Sequence, residues 1–257
     1  MTSDEPFPGW NWEDPDGLDA MMDDFTAGIA ACDTVELVAD KLPTTRAELA
    51  ATGITGIEFA AFRTAHPNGL GTDIVPVHTE DMTAEPGGLY QVNGTSFFTQ
   101  LDIRDPLPFE DDAVDWVYAE HLIEHVPLPV ALGWLREVRR VLAPGGLLRL
   151  TTPDLRKYVE GYTDANPFFH EHRTRLADMQ VGPPMPARRA FMFNQIFYLY
   201  GHRWLYDEAE LRYVLAQAGF DGDAMRVVTL HQGSRPDVAD LDMEFRADET
   251  IYVEVNA

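Results

Sequence analysis

The stretch from Leu101 to Leu155, LDIRDPLPFEDDAVDWVYAEHLIEHVPLPVALGWLREVRRVLAPGGLLRLTTPDL, constrains the fold more than any other part of the chain. Residues 113–118 (AVDWVY) are apolar and partly β-branched, as a buried strand requires. Between Pro127 and Leu142, Leu132, Leu135, Val138 and Leu142 recur at helical spacing, with Val141 beside them. Arg136, Glu137, Arg139 and Arg140 occupy the wet side of the same helix. Pro144-Gly145-Gly146 stops it, because proline lacks an N–H and glycine accepts a positive φ. Residues 147–152 then read as a second buried strand. Strand, helix and strand within about 40 residues form a βαβ unit, which implies a parallel sheet.

Two runs carry a family resemblance: LPFEDDAVDWVYAEHLIEHV and LREVRRVLAPGGLLRLTTPDL. They resemble the second half of class I S-adenosylmethionine-dependent methyltransferases of the small-molecule and sugar type. Those proteins carry an acidic turn, a strand, a Glu-His pair, a helix ending in RVL-x-PGG and a strand ending in PDL. The resemblance implies an α/β, Rossmann-like fold: a mostly parallel seven-stranded sheet, helices on both faces and an inserted helical cap. It implies methyl transfer from S-adenosylmethionine to a small polar molecule such as a sugar, nucleoside or natural-product intermediate.

Against that frame the chain divides into an arm with helices over residues 1–53 and a methyltransferase-like domain over 54–257. Residues 1–17 mix acids, Pro, Gly, Trp10 and Trp12, a composition expected to be disordered at its start, with the two indoles tacking the arm either onto the body or onto bound ligand as a lid. Residues 18–41 have helical character, and residues 45–51 a second short helix opened by Thr45. Residues 54–60, 69–75 and 97–103 read as the first three strands, with a surface hairpin or loop over 77–95. Near the end, 207–218 is a helix capped by Asp207 and Glu210 and ended by Gly219. Residues 225–230 and 250–255 are closing strands, the last expected to be antiparallel. The Asp-rich segment 233–248 between them reads as a wet loop.

In open parallel sheets ligands bind outside the carboxyl ends of the strands. The resemblance therefore assigns the cofactor to Glu58, Ala60 and Phe62 at the first turn, Asp73 near the second strand's end, Asp102 and Ile103 after the third, and Glu120 after the fourth. Asp73 would accept the ribose hydroxyls; Asp102 and Ile103 would meet the adenine. The plain alternatives are a strand-end turn former for Asp73 and a turn cap before Pro106 for Asp102. The first turn departs from the family. Where the family usually has Gly-x-Gly, this chain has Ala60-Ala61-Phe62, and Phe62 must enter either the core or cofactor space. Binding of S-adenosylmethionine is then expected to be weak, displaced toward the adenosine end, or absent. Two further readings stay open: a methyltransferase-fold enzyme with other chemistry (elimination, cyclisation or isomerisation), and a noncatalytic partner subunit.

For transfer to a hydroxyl a general base is useful, and His121, then His125, are its candidates. Each could instead make only local hydrogen bonds. His121-Leu122-Ile123-Glu124-His125 also matches the H-x-x-E-H pattern of some zinc peptidases, but a zinc site needs a third protein ligand and no metal is expected. The segment 156–203 is rich in aromatic and ionisable side chains and reads as the cap; Tyr158, Tyr162, His202, Arg203 and Tyr206 are its candidate substrate contacts.

The 43 Asp and Glu outnumber the 19 Lys and Arg, for a formal charge of −24, which disfavours nucleic acid and anionic membrane as partners. Cys32 stands alone, so no intrachain disulfide forms. No apolar run long enough to span a bilayer and no signal pattern is seen, so a cytoplasmic location is expected. The expected partner is a small-molecule substrate, with homo-oligomerisation open.

Overall fold

The computed structural model describes residues 28, 30–61, 65–163, 166–179 and 185–257. Among them nine strands form one sheet: β1 (Val35–Ala39), β2 (Gly56–Phe59), β3 (Gly69–Asp73), β4 (Leu89–Val92), β5 (Ser96–Gln100), β6 (Val114–Glu120), β7 (Leu142–Pro153), β8 (Arg226–Val228) and β9 (Thr250–Asn256). Their spatial order is β1-β4-β5-β3-β2-β6-β7-β9-β8. β2 lies parallel between β3 and β6, β3 runs parallel to β5, and β6 to β7. β9 closes this edge antiparallel to both β7 and β8. The seven strands from β5 to β8 are those the sequence predicts. The antiparallel pair β1–β4 extends them beyond β5 and makes the whole sheet mixed.

Two expectations are corrected here. Residues 35–39, expected within a helix, form β1, because Val35 packs with Val77, Tyr90, Val92 and Phe98 and the strand pairs with β4. Trp10, Trp12 and the first part of that expected helix lie outside the described residues. The segment 233–248 is not a wet loop. It carries α7 (Pro236–Ala239), whose Val238 and Ala239 are fully buried, and Asp242 is buried beside Arg149. Arg149 Nε donates to Asp242 Oδ1 at 2.8 Å and Nη1 donates to Glu254 Oε1 at 2.9 Å. A charge this deep needs such partners, since breaking one side of a buried pair costs about 3–5 kcal/mol.

Local sequence explains the helices that brace the sheet. α1 (Arg46–Ala51) opens with a reciprocal capping box between Thr45 and Glu48. α2 (Leu128–Val141) buries Leu135, Val138 and Val141 of the predicted stripe together with Ala131 and Trp134, while Leu132 is only half-buried and Leu142 already begins β7; Trp134 meets Phe59 edge-on at 5.3 Å. Leu135, Val138 and Val141 each contribute about 1.5–3 kcal/mol by this burial. α6 (Glu208–Gln217) starts at Asp207, whose side chain accepts from Glu210 N, and ends at Gly219 with φ 98°. Here the predicted box is only half made, because the Glu210 carboxylate instead accepts from Trp204 Nε1.

The cap is α3 (Leu155–Thr163), α4 (Phe168–Asp178) and α5 (Arg189–Tyr198). These helices share a hydrophobic cluster of their own, built on Tyr158, Phe169, Leu176, Met192 and Ile196. The chain leaves the sheet at Asp154 and returns at Tyr206, which pair in a parallel bridge, and Leu155 N donates to Tyr206 O at 2.8 Å. No helix among the described residues is long and apolar enough to cross a membrane.

Candidate functional site

The carboxyl ends of β2, β3, β5 and β6 lie side by side because these strands are parallel neighbours. At two of those ends the backbone turns left-handed at non-glycine residues: Ala60 after β2 has φ 57°, and His121 after β6 has φ 48°. Such residues cost about 1–3 kcal/mol each and collect at functional sites. Ala60 thus takes the conformation for which a glycine is ordinarily chosen. Phe62 lies outside the described residues.

Glu58 on β2 is buried, and its Oε1 accepts from His66 N at 2.8 Å. It therefore anchors the return of the connection into β3. A Cβ at Gly69 would collide with that same Oε1, so glycine is needed beside it. The connection is short. Only residues 60–68 separate two adjacent parallel strands, and residues 60, 61 and 65–68 are not helical. Parallel strands are ordinarily joined by a dozen or more residues, usually with a helix.

Asp73 ends β3, its Oδ1 accepting from Val75 N at 3.0 Å, and burial pushes its carboxyl up to about 6. Leu101 N donates to Asp73 O at 2.9 Å, which sets Asp102 just beyond the end of the neighbouring strand. Asp102 forms an ion pair with Arg104, whose side-chain hydrogen bonds hold its carboxyl below the usual range. A cavity of about 490 Å³ opens here, lined by Leu42, Ile74, Gln100, Leu101, Asp102 and Pro106 among others. Its walls carry Asp102, Asp105 and Lys41 as well as the apolar side chains, and with Asp73 at the adjoining strand end they offer acceptors for the hydroxyl and amine donors of a riboside. Ile103 is half-buried against the main core.

At the end of β6, Glu120 accepts from Tyr118 Oη at 2.7 Å and burial raises its pKa. His121 is buried, with Nε2 2.7 Å from Thr250 Oγ1 and Nδ1 3.3 Å from Glu124 Oε1. Thr250 Oγ1 itself donates to Arg246 O. Its one proton is thereby used, so His121 Nε2 is the donor toward Thr250. Burial drives the His121 imidazole well below its ordinary pKa, so the ring is neutral and turned inward. Glu124 is wholly buried; its Oε2 accepts from Thr152 Oγ1 at 2.9 Å, and burial pushes its carboxyl up to about 8. His125 is exposed as a residue, its ring 4.8 Å from that of His202. Desolvation of the ring, with His202 and Arg246 nearby, lowers its imidazole to about 3.

The five cap candidates separate. Tyr158 is fully buried; its hydroxyl donates to Glu249 and lies 3.2 Å from His172 Nε2. Tyr162 is exposed and packs on Phe193. Tyr206 is fully buried in the main core. His202 and Arg203 line an open pocket of about 350 Å³ with Leu155, Phe197, Tyr198, Trp204 and Leu205. The backbone of this return segment is tied to the strand end, since Arg203 N and Trp204 N both donate to Glu124 O, at 2.6 and 3.2 Å. Sequence reasoning passed over Thr250, Glu249 and Asp248, which join β9 to the site. No local pattern marks them, because only the antiparallel placement of β9 brings them there.

Comparison with known proteins adds a family. A family described as a methyltransferase domain matches residues 30–224. No curated protein matches the sequence. Among solved structures, a CurJ carbon methyltransferase is 17% identical over 84% of this chain and 50% of its own, with a TM-score of 0.42. The chain thus spans about half the length of that protein. An S-adenosylmethionine-dependent methyltransferase from Mesorhizobium loti is 15% identical over 81% of this chain and 95% of its own, TM-score 0.42. A possible histamine N-methyltransferase from Thermotoga maritima is 15% identical over 79% and 81%, TM-score 0.42.

Proposed function

Because this chain belongs to the methyltransferase-domain family, we propose that it is an S-adenosylmethionine-dependent methyltransferase acting on a small polar molecule: a sugar, nucleoside or natural-product intermediate. The observation that supports this reading most is the pair of carboxylates, Asp73 and Asp102, at neighbouring strand ends beside the cavity of about 490 Å³. Asp73 would take the ribose hydroxyls, and Asp102 with Ile103 the adenine. Glu120 and the left-handed turn at Ala60 would flank the remainder of the cofactor. Bound there, the cofactor supplies an electrophilic methyl group.

The chain's own part is positioning, which accounts for much of the rate of such a transfer. The acceptor would enter from the pocket lined by His202 and Arg203, next to the ring of His125. Of the two histidines named in the EHLIEH run, His125 is the one open to that side. His121 is assigned to holding the end of β6 against β9. Arg203 offers a cation to an anionic group of the acceptor.

The short connection 60–68 favours a second reading, in which the methionine end of the cofactor site is lost. The chain would then perform other chemistry on the same fold or serve as a partner subunit. Calorimetry with S-adenosylmethionine and S-adenosylhomocysteine separates the two. Micromolar binding by the wild type, weakened at least tenfold in Asp73→Asn, is the expected result. Absence of binding in a folded wild type, restored in Phe62→Gly, would favour the second reading with the turn as the obstruction. Absence in both would leave the partner-subunit reading.

A further inference from the structure

We propose that Glu124, His125 and His202 form a binding site for a divalent transition-metal ion, zinc by preference. One ligand atom from each of these side chains lies within 4.8 Å of the other two. Metal–ligand bonds of about 2.0–2.2 Å at tetrahedral angles place the ligand atoms of one ion roughly 3.3–3.6 Å apart. The three ligand atoms therefore close on one ion by approaching one another by up to about 1.5 Å, a movement that rotation of the two histidine side chains supplies.

The surroundings are those of a prepared site. Glu124 is wholly buried, and its Oε1 faces only His121 Nδ1, at 3.3 Å, a nitrogen that carries no proton because the neutral ring donates through Nε2. A buried carboxylate oxygen without a donor is costly unless something cationic meets it. His202 Nδ1 donates to Ile196 O, which fixes the tautomer and leaves Nε2 as a lone-pair donor. Ring N–H groups held by backbone carbonyls are the usual way in which metal-binding imidazoles are oriented. The two backbone bonds from Arg203 and Trp204 to Glu124 O lock the cap's return segment, and so His202, to the strand end. Exposure at His125 leaves one side open for a fourth, exchangeable ligand.

Two imidazoles and one carboxylate suit zinc and similar first-row ions, whereas magnesium favours oxygen ligands. The EHLIEH spacing offers His121 and His125 as the pair. The fold instead turns His121 inward onto Thr250 and replaces it with His202 from the far end of the cap. An oxygen of the acceptor is the chemical class of group that the open position would hold. The site itself does not depend on the methyltransferase reading, because it is tested without cofactor or acceptor.

The test is calorimetry with zinc chloride on chelator-treated full-length protein, alongside His202→Ala, His125→Ala, Glu124→Gln and the exposed-histidine control His170→Ala. The expected result is one zinc per wild-type chain, at least tenfold weaker binding in each of the three site variants, no change in the control, and no displacement by excess magnesium. Absence of stoichiometric binding, or affinity unaltered in His202→Ala, overturns the proposal. Should the variants fail to fold, the visible spectrum of cobalt-loaded wild type decides. An intense band from four- or five-coordinate cobalt supports the site, and the weak spectrum of hydrated cobalt overturns it.

Discussion

His121 Nε2 lies 2.7 Å from Thr250 Oγ1, joining the end of β6 to the start of β9 across the intervening β7. The two residues stand 129 positions apart in the chain, and both are buried. Thr250→Val keeps the shape of the side chain and removes the acceptor, leaving the His121 N–H buried without its partner. The expected cost is about 1–3 kcal/mol, read as a lower urea midpoint with an unchanged denaturant slope. An unaltered midpoint would mean that the contact contributes nothing to holding β9.

Ala60 pays a conformational cost that glycine does not. Its φ of 57° is left-handed, which costs a residue bearing a Cβ roughly 1–2 kcal/mol. Glycine removes that strain but loses about 0.5–1 kcal/mol through the freer unfolded chain. Ala60→Gly is therefore expected to stabilise the protein by about 0.5–1 kcal/mol, measured by chemical denaturation. Ala60→Val, β-branched at the same φ, is expected to destabilise it. Reversal of that order would show that the turn is held by something other than the Ala60 backbone.

Asp73 gives a pH dependence with a definite sign. Its folded pKa, about 6, exceeds the ordinary 3.8. The folded state therefore holds the extra proton, and Asp73 contributes stability below about pH 4 that is lost as the pH rises through about 6. Relative to Asp73→Asn, the wild type should lose stability over that window in thermal melts without ligand. Ligand binding should run the other way, since ribose hydroxyls donate to the ionised carboxylate. Affinity for S-adenosylhomocysteine should fall as the pH drops below about 6, by at most about tenfold per pH unit for one proton. Asp73→Asn should bind more weakly with that slope removed. Equal pH slopes in the two proteins would dissociate Asp73 from the ribose.

The sequence by itself determined the parallel heart of this protein. The helical spacing of Leu135, Val138 and Val141, the Thr45 and Asp207 caps, and the apolar run of β6 each act within a few residues, where backbone geometry repeats every 3.6 or 2 positions. The same locality explains the miss at Val35–Ala39. Five residues are too few to tell the two periods apart, and pairing with β4 decided between them. It also explains why the acidic segment before β9 read as solvent-facing: Asp242 is buried only because Arg149, on another strand, meets it there. The site divides along the same line. The positions of Asp73 and Asp102 at strand ends were legible because strand ends follow from strand limits. The orientation of His121 onto Thr250, and the meeting of Glu124 and His125 with His202, came only with the tertiary structure. Those contacts are set by the order of strands in the sheet and by the point at which the cap returns to it, and no local periodicity encodes either.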